Sequence, residues 1–174
     1  MKVMIVGCGR VGAGLAAQLS ASGHDVTILD VATRSFERLP SGFSGRAIRG
    51  NGTDEDVLRR TGLAGSDVFI ALTEGDNRNV LMAQLARETF AIPTVIAKIN
   101  DPVRAEAYTA LGLATVCRTT ILEDAVLGYL GEPVDGSPAV RAPTGHDHPL
   151  EPTDRVASAD APPEPAAVTG NEEA

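Results

Sequence analysis

Residues 3–30 read VMIVGCGRVGAGLAAQLSASGHDVTILD: an apolar strand, a glycine-rich turn, a helix, a second strand and a terminal aspartate. This is the order of parts that a nucleotide-binding βαβ unit requires. Gly7, Gly9 and Gly12 form G-x-G-x-x-G directly after the strand. The first permits the tight turn, the second lets backbone approach a pyrophosphate, and the third lets the helix pack closely on the sheet. Unpaired N–H groups and the positive end of the helix dipole make the turn Gly7, Cys8, Gly9, Arg10, Val11 and Gly12 an anion site without any cationic side chain. Asp30 stands 18 residues beyond Gly12, at the end of the second strand. A carboxylate there accepts hydrogen bonds from an adenosine ribose and repels a 2′-phosphate, whereas nearby Arg34 keeps the phosphorylated cofactor open.

Strand and helix signals alternate on through residue 132, which predicts an α/β fold: a doubly wound six-stranded parallel Rossmann sheet with helices on both faces. The expected strands are 2–6, 25–29, 45–49, 67–71, 93–97 and 114–117. Thr53 with Asp56, and Thr73 with Asp76, resemble capping boxes, and Asp101 before Pro102 reads as an N-cap with proline at the first helical position. These signals predict helices near 54–61, 75–90 and 102–110. A last helix, about 120–130, carries Ile121, Leu122, Ala125, Val126, Tyr129 and Leu130, an apolar face with no further strand behind it. It packs either on its own sheet or on a second copy of the chain.

The pattern changes sharply after residue 132. Eight of the eleven prolines lie in residues 133–174, together with eight acids against only Arg141 and Arg155, so −6 of the chain's net charge of −8 belongs to that stretch. The chain is therefore read as a folded domain over 1–132 and a Pro-rich, acidic, disordered tail over 133–174. The folded part is left near neutral, without the basic surface that a nucleic-acid backbone requires. Cys8 and Cys117 fit no metal or C-x-x-C spacing, which points to reduced thiols in a cytosolic protein. With no run of 18 apolar residues and an N-terminus that enters a strand at once, neither a membrane span nor a leader is expected.

Open α/β sheets bind ligands beyond the carboxyl ends of their strands. There the sequence places Gly7 to Arg10, Asp30, Gly50 to Thr53, Leu72 to Glu74, Lys98 to Asn100 and Arg118. Arg10 can reach phosphate oxygens, face a carboxylate or simply be solvated. Asn51, Thr53 and Asp54 can line the adenine end, with Gly52 among the binding residues of the same loop, although Thr53 also suits a helix cap. Leu72 and Thr73 close the next strand, and Asp76 and Asn79, three apart on one helix, share a face toward the crevice. Lys98 is either a surface charge or a phosphate contact.

Five motifs run in order: G-C-G-R-V-G at 7–12, H-D-V-T-I-L-D at 24–30, G-N-G-T-D at 50–54, A-L-T-E-G-D-N-R-N at 71–79 and A-K-I-N-D-P at 97–102. Over about residues 1–130 the chain resembles the N-terminal domain of the TrkA-type potassium-uptake regulators, also called the RCK or KTN domain. The resemblance implies a cytoplasmic regulatory subunit at the inner face of the cell membrane. It would gate a Trk- or Ktr-type transporter by binding NAD(H) or ATP/ADP as an effector, not as a catalyst. It also implies that Gly7, Gly9 and Gly12 hold the phosphates and Asp30 the ribose, and that Arg10 contacts phosphate or the neighbouring subunit's ligand. Three positions depart from the family pattern: Asn51 and Gly52 replace the acid and alanine of G-D-A-T, and Lys98 replaces arginine, keeping charge but losing the planar fork. Self-association into dimers or a larger ring, through helices late in the domain, is implied, and a sibling TrkA-type subunit is compatible. The second, C-terminal regulatory domain common in the family is not visible in residues 133–174.

A small NAD-dependent oxidoreductase, or a stand-alone cofactor-binding domain, is the competing reading. Hydride chemistry needs a proton donor near the substrate carbonyl, commonly His, Lys or Tyr. Only His24, His146 and His148 exist, in a turn and in the tail, and Tyr108 and Tyr129 lack a lysine four residues later. No catalytic residue and no metal ligand is assigned. A scaffold that kept the fold and lost its ligand is a third reading, favoured by Asn51.

Overall fold

Strand β1 (Lys2–Val6) is all but continuous apolar sequence, buried from Val3 to Val6, as expected of a central parallel strand covered on both faces. In the computed structural model, which describes residues 1–134, 136 and 139–142, β1 pairs in parallel with β2 (Asp25–Asp30) on one side and β4 (Val68–Ala71) on the other. Outside them run β3 (Arg46–Arg49), β5 (Thr94–Ile99) and β6 (Ala114–Cys117), all parallel. The order is β3-β2-β1-β4-β5-β6, with β7 (Val140–Arg141) added antiparallel at the β6 edge. The mostly parallel sheet flanked by helices is thus Rossmann-like, with seven strands in place of the six expected. The extra strand lies within residues 133–174, so the sheet continues past residue 132. The disorder expected for the remaining tail falls on residues outside those described.

Side-chain alternation splits the core in two. Met4, Val6, Leu29, Phe69, Ala97 and Ile99 face the layer built by α2 (Glu55–Arg60), α3 (Asp76–Gln84) and α4 (Pro102–Ala110). Val3, Ile5, Val26, Ile28, Val68 and Ile70 face α1 (Arg10–Ala21) through Ala13 and Ala16. Small residues on α1 bring that helix close to the sheet. The expected helix over 75–90 is α-helical only to Gln84 and finishes as a π turn over Leu85–Thr89, followed by Ala91 at a left-handed φ of 52°. The two expected capping boxes are replaced by other contacts. Asp54, not Thr53, caps α2 by accepting from the N–H groups of Asp56 and Val57, and Gly75 starts α3 without a side-chain cap. Asp101 caps α4 as expected, accepting from Val103 and Arg104.

The last helix, α5 (Arg118–Leu130), buries only Thr120. Leu122, Val126, Tyr129 and Leu130 are 65%, 51%, 92% and 64% exposed, so the apolar face read in the sequence is present and no described residue covers it.

Candidate functional site

The turn between β1 and α1 has the shape its three glycines dictate. Gly7 adopts φ +109°, and a Cβ there would stand 2.9 Å from the Leu72 carbonyl. A Cβ on Gly12 would lie 1.9 Å from the Gly7 carbonyl oxygen, so the third glycine sets the close approach of α1 to the strand end. Gly9 differs: apart from its chain neighbours, no atom of the described residues lies within 4 Å of its absent Cβ, and it caps α1 without a side-chain bond. Open space at the first turn of a helix is what an anion needs in order to meet backbone N–H groups. Arg10 and Val11 lie exposed beside it, Val11 at 63%. Cys8 points inward, fully buried, and its thiol donates to the Ser35 carbonyl at 3.3 Å. Burial first, and the Asp30 carboxylate second, raise the Cys8 thiol pKa above its ordinary value of 9.0, with Arg38 opposing them.

Asp30 closes the crevice on the β2 side. Its Oδ2 accepts from the Cys8 N–H at 2.8 Å and its Oδ1 from the Ala32 N–H at 2.8 Å, so the carboxylate is fixed against the glycine turn. Beyond it, Arg49 stands in register with Asp30 and donates Nε to the Val31 carbonyl at 3.2 Å. Arg38 donates to the Ser35 carbonyl at 3.5 Å, the same oxygen that the Cys8 thiol meets. Sequence reasoning singled out Arg34 and passed over these two. Parallel pairing of β2 with β3 was the signal that brings Arg49 beside Asp30.

The adenine-side loop is built around Asn51. Its Oδ1 accepts from the Thr53 N–H at 3.1 Å and the Thr53 hydroxyl at 2.9 Å, an Asx turn that occupies Thr53 locally. Gly52 is dictated by packing: a Cβ there would fall 2.6 Å from both Met82 Sδ and Val6 Cγ1.

On the far side of β1, Leu72 is half-buried against the α1-facing core. Asn79 is fully buried, and its amide is fully engaged. Oδ1 accepts from the Thr73 N–H and hydroxyl at 2.9 and 2.7 Å, and Nδ2 donates to the Thr73 and Lys98 carbonyls at 2.9 and 2.8 Å. Asp76 accepts from the Asn100 N–H and side-chain amide at 3.0 and 2.7 Å. Asn79, Thr73 and Asp76 therefore join the β4 and β5 loops to each other, leaving Asn79 no free hydrogen-bonding group for a ligand. Asn100, placed at this strand end by the sequence but given no role there, is the third part of this tie. Lys98 is only 7% exposed, yet among the described residues its ammonium makes no hydrogen bond or ion pair. The structure thus gathers the glycine turn, Asp30 and the Asn51 loop around one open edge, with Lys98 at the end of β5.

His24, the one histidine among the described residues, contacts the chain's N-terminus just before β2, at the opposite end of the sheet from this crevice. No described helix is long and apolar enough to cross a membrane.

Residues 3–119 match the TrkA-N domain family model. The chain is 43% identical over 145 residues to the Trk system potassium uptake protein TrkA of Streptomyces coelicolor, an alignment covering 83% of this chain and 65% of that protein. The chain thus spans somewhat under two thirds of this relative's length. Among solved structures it is similar to the TrkA-N domain of the inner membrane protein ybaL from Escherichia coli, with a TM-score of 0.66 at 21% identity, covering 74% of this chain and 96% of that one. It is likewise similar to the Shewanella denitrificans Kef CTD in AMP bound form, with a TM-score of 0.60 at 22% identity, covering 79% and 86%.

Proposed function

The chain belongs to the TrkA-N domain family, and from that premise we propose that it is a nucleotide-sensing regulatory subunit of a Trk- or Ktr-type potassium transporter. The observation that carries the reading is the unobstructed face of Gly9 at the first turn of α1, closed on one side by Asp30. Phosphates seat against the α1 N–H groups, Asp30 receives the ribose hydroxyls, and the Asn51 loop borders the base. NAD(H) and ATP/ADP both present an adenosine 5′-phosphate to such a site. The neighbour in an AMP-bound form and the relative named for potassium uptake support this assignment.

Regulation follows from differential affinity. A nucleotide that binds one arrangement of assembled domains more tightly shifts their population, and a membrane partner attached to them feels that shift. The assembly is a dimer or a larger ring, with a sibling TrkA-type subunit compatible, working at the cytoplasmic face of the membrane. Hydride chemistry is the weaker alternative because His24 is remote from the crevice.

Equilibrium binding of NADH, NAD, ATP and ADP to the purified chain tests the reading. Saturable binding that Asp30→Ala weakens by about 1–3 kcal/mol is expected. A chain that binds none of the four refutes the assignment.

A further inference from the structure

Burying a lysine without a counter-charge is costly, yet Lys98 is 7% exposed and its ammonium meets no acceptor among the described residues. The buried side-chain nitrogens and oxygens left without a partner are, among those residues, Asn100 Oδ1 and Arg141 Nε. The Lys98 stem is therefore enclosed while its ammonium still reaches solvent. Side-chain alternation gives the direction of the stem. Ile96, two residues earlier on β5, packs in the cluster that faces α1, together with Ile70 and Leu72, whereas Ala97 and Ile99 face the opposite layer. Lys98 thus leaves the sheet on the α1 side, at the carboxyl end of its strand.

The first turn of α1 stands on that same face and at that same end, and only the end of β4 separates the two. A Cβ on Gly7 would lie 2.9 Å from the Leu72 carbonyl carbon and 3.0 Å from the Thr73 nitrogen. Asn79 in turn joins the Thr73 N–H to the Lys98 carbonyl, at 2.9 and 2.8 Å. The strands β1 and β5 are two spacings apart, about 10 Å. Asp30 lies on β2, on the other side of β1. A nucleotide with its ribose at Asp30 and its first phosphate at the α1 N–H groups therefore extends toward Lys98 with whatever follows that phosphate. In a di- or triphosphate this is a terminal phosphate, which an ammonium binds as a point charge. In NAD it leads to a ribosyl pyridinium with its own positive charge, and in NADH to a neutral ring. We propose that Lys98 receives the terminal phosphate of an adenosine di- or triphosphate, so that the effector class of this chain is adenosine polyphosphates and not dinucleotides. The proposal rests on the glycine turn being a nucleotide site.

Calorimetric titration of the full chain with AMP, ADP, ATP and NADH isolates the terminal phosphate. ATP binds at least about tenfold more tightly than either AMP or NADH, and ADP lies on the ATP side of AMP. Lys98→Met keeps the length of the buried stem and removes the charge. It weakens ATP by about tenfold, the scale of one charged hydrogen bond, and changes AMP by less than about twofold. Lys98→Arg, which keeps a charge for the phosphate, restores most of the ATP affinity. AMP or NADH binding as tightly as ATP in the wild-type chain overturns the inference, whether or not the variants fold. Equal losses of AMP and ATP in Lys98→Met also overturn it, because Lys98 would then support the turn without touching the phosphate. If none of the four nucleotides binds, the nucleotide assignment itself fails, a result distinct from binding that ignores the terminal phosphate.

Discussion

A methyl group placed on Gly12 would meet the Gly7 carbonyl oxygen at 1.9 Å, a contact between two backbone segments that no side-chain rotation relieves. Gly12→Ala should therefore lower unfolding stability by about 3 kcal/mol in urea titrations. Gly9→Ala places its methyl in empty space with φ near −76°, and the fold should tolerate it within about 0.5 kcal/mol. That same methyl would stand where phosphate must approach, so nucleotide affinity should fall at least about tenfold while stability is kept. Loss of neither property, or of both together, would contradict the division of labour in the turn. Asn79 poses the opposite case, a polar side chain whose work is internal. Asn79→Ala strands the Thr73 N–H and the Lys98 carbonyl inside the protein, at an expected cost of about 3 kcal/mol in the same titration. Cys8 adds a pH signature. Its thiol pKa is raised by folding, so its stabilising contribution is complete below the ordinary value of 9.0 and is lost as pH climbs through the raised value. Cys8→Ala should flatten that alkaline decline.

At the scale of elements, the parallel strands were legible because each is a short apolar run bounded by polar or glycine-rich turns. β1, β2 and β6 begin where the sequence placed them. Helix starts were less legible, because Ser, Thr, Asp and Asn can all satisfy a local N–H and neighbouring candidates compete. Thr53 is captured by the Asn51 side chain, which moves the α2 cap to Asp54. Thr73 is captured by Asn79, six residues along and oriented only once α3 packs on β5. Asp54→Ala should accordingly cost about 1 kcal/mol of stability, and Thr53→Ala clearly less. Equal losses would return the cap to Thr53. The candidate site divides the same way. The glycine turn and Asp30 are consecutive parts of one βαβ unit and were readable as such. Arg49 comes to the crevice through strand pairing and Asn100 is tied to Asp76 through a contact between two loops, neither of which a local pattern encodes. The two-residue β7 is too short to carry any periodicity.

At the scale of the whole molecule, α5 is a helix whose outer face no described residue covers. Leu122, Val126, Tyr129 and Leu130 are each more than half exposed, and Val103 of α4 is 76% exposed. A groove of about 620 Å³ separates α4 from α5, lined by Val103, Leu122, Val126 and Leu127 together with Glu106 and Glu123. Water meets more apolar surface here than a stable monomer usually leaves open, and a single helix cannot fold back to hide its own outer face. Burying each of these side chains against a second copy would contribute on the order of 1.5–3 kcal/mol before the cost of association. The chain is therefore expected to sediment as a dimer or larger species at tens of micromolar. Leu122→Glu with Tyr129→Glu should shift it to monomer, because each change removes apolar contact and places a charge where the partner would pack. The crevice is built by the glycine turn, Asp30 and the Asn51 loop, none of which contacts either substituted residue by hydrogen bonding, so the monomeric variant should still take up nucleotide. A wild-type chain that sediments as a monomer across that range, or a double variant that remains assembled, would remove α5 from the interface.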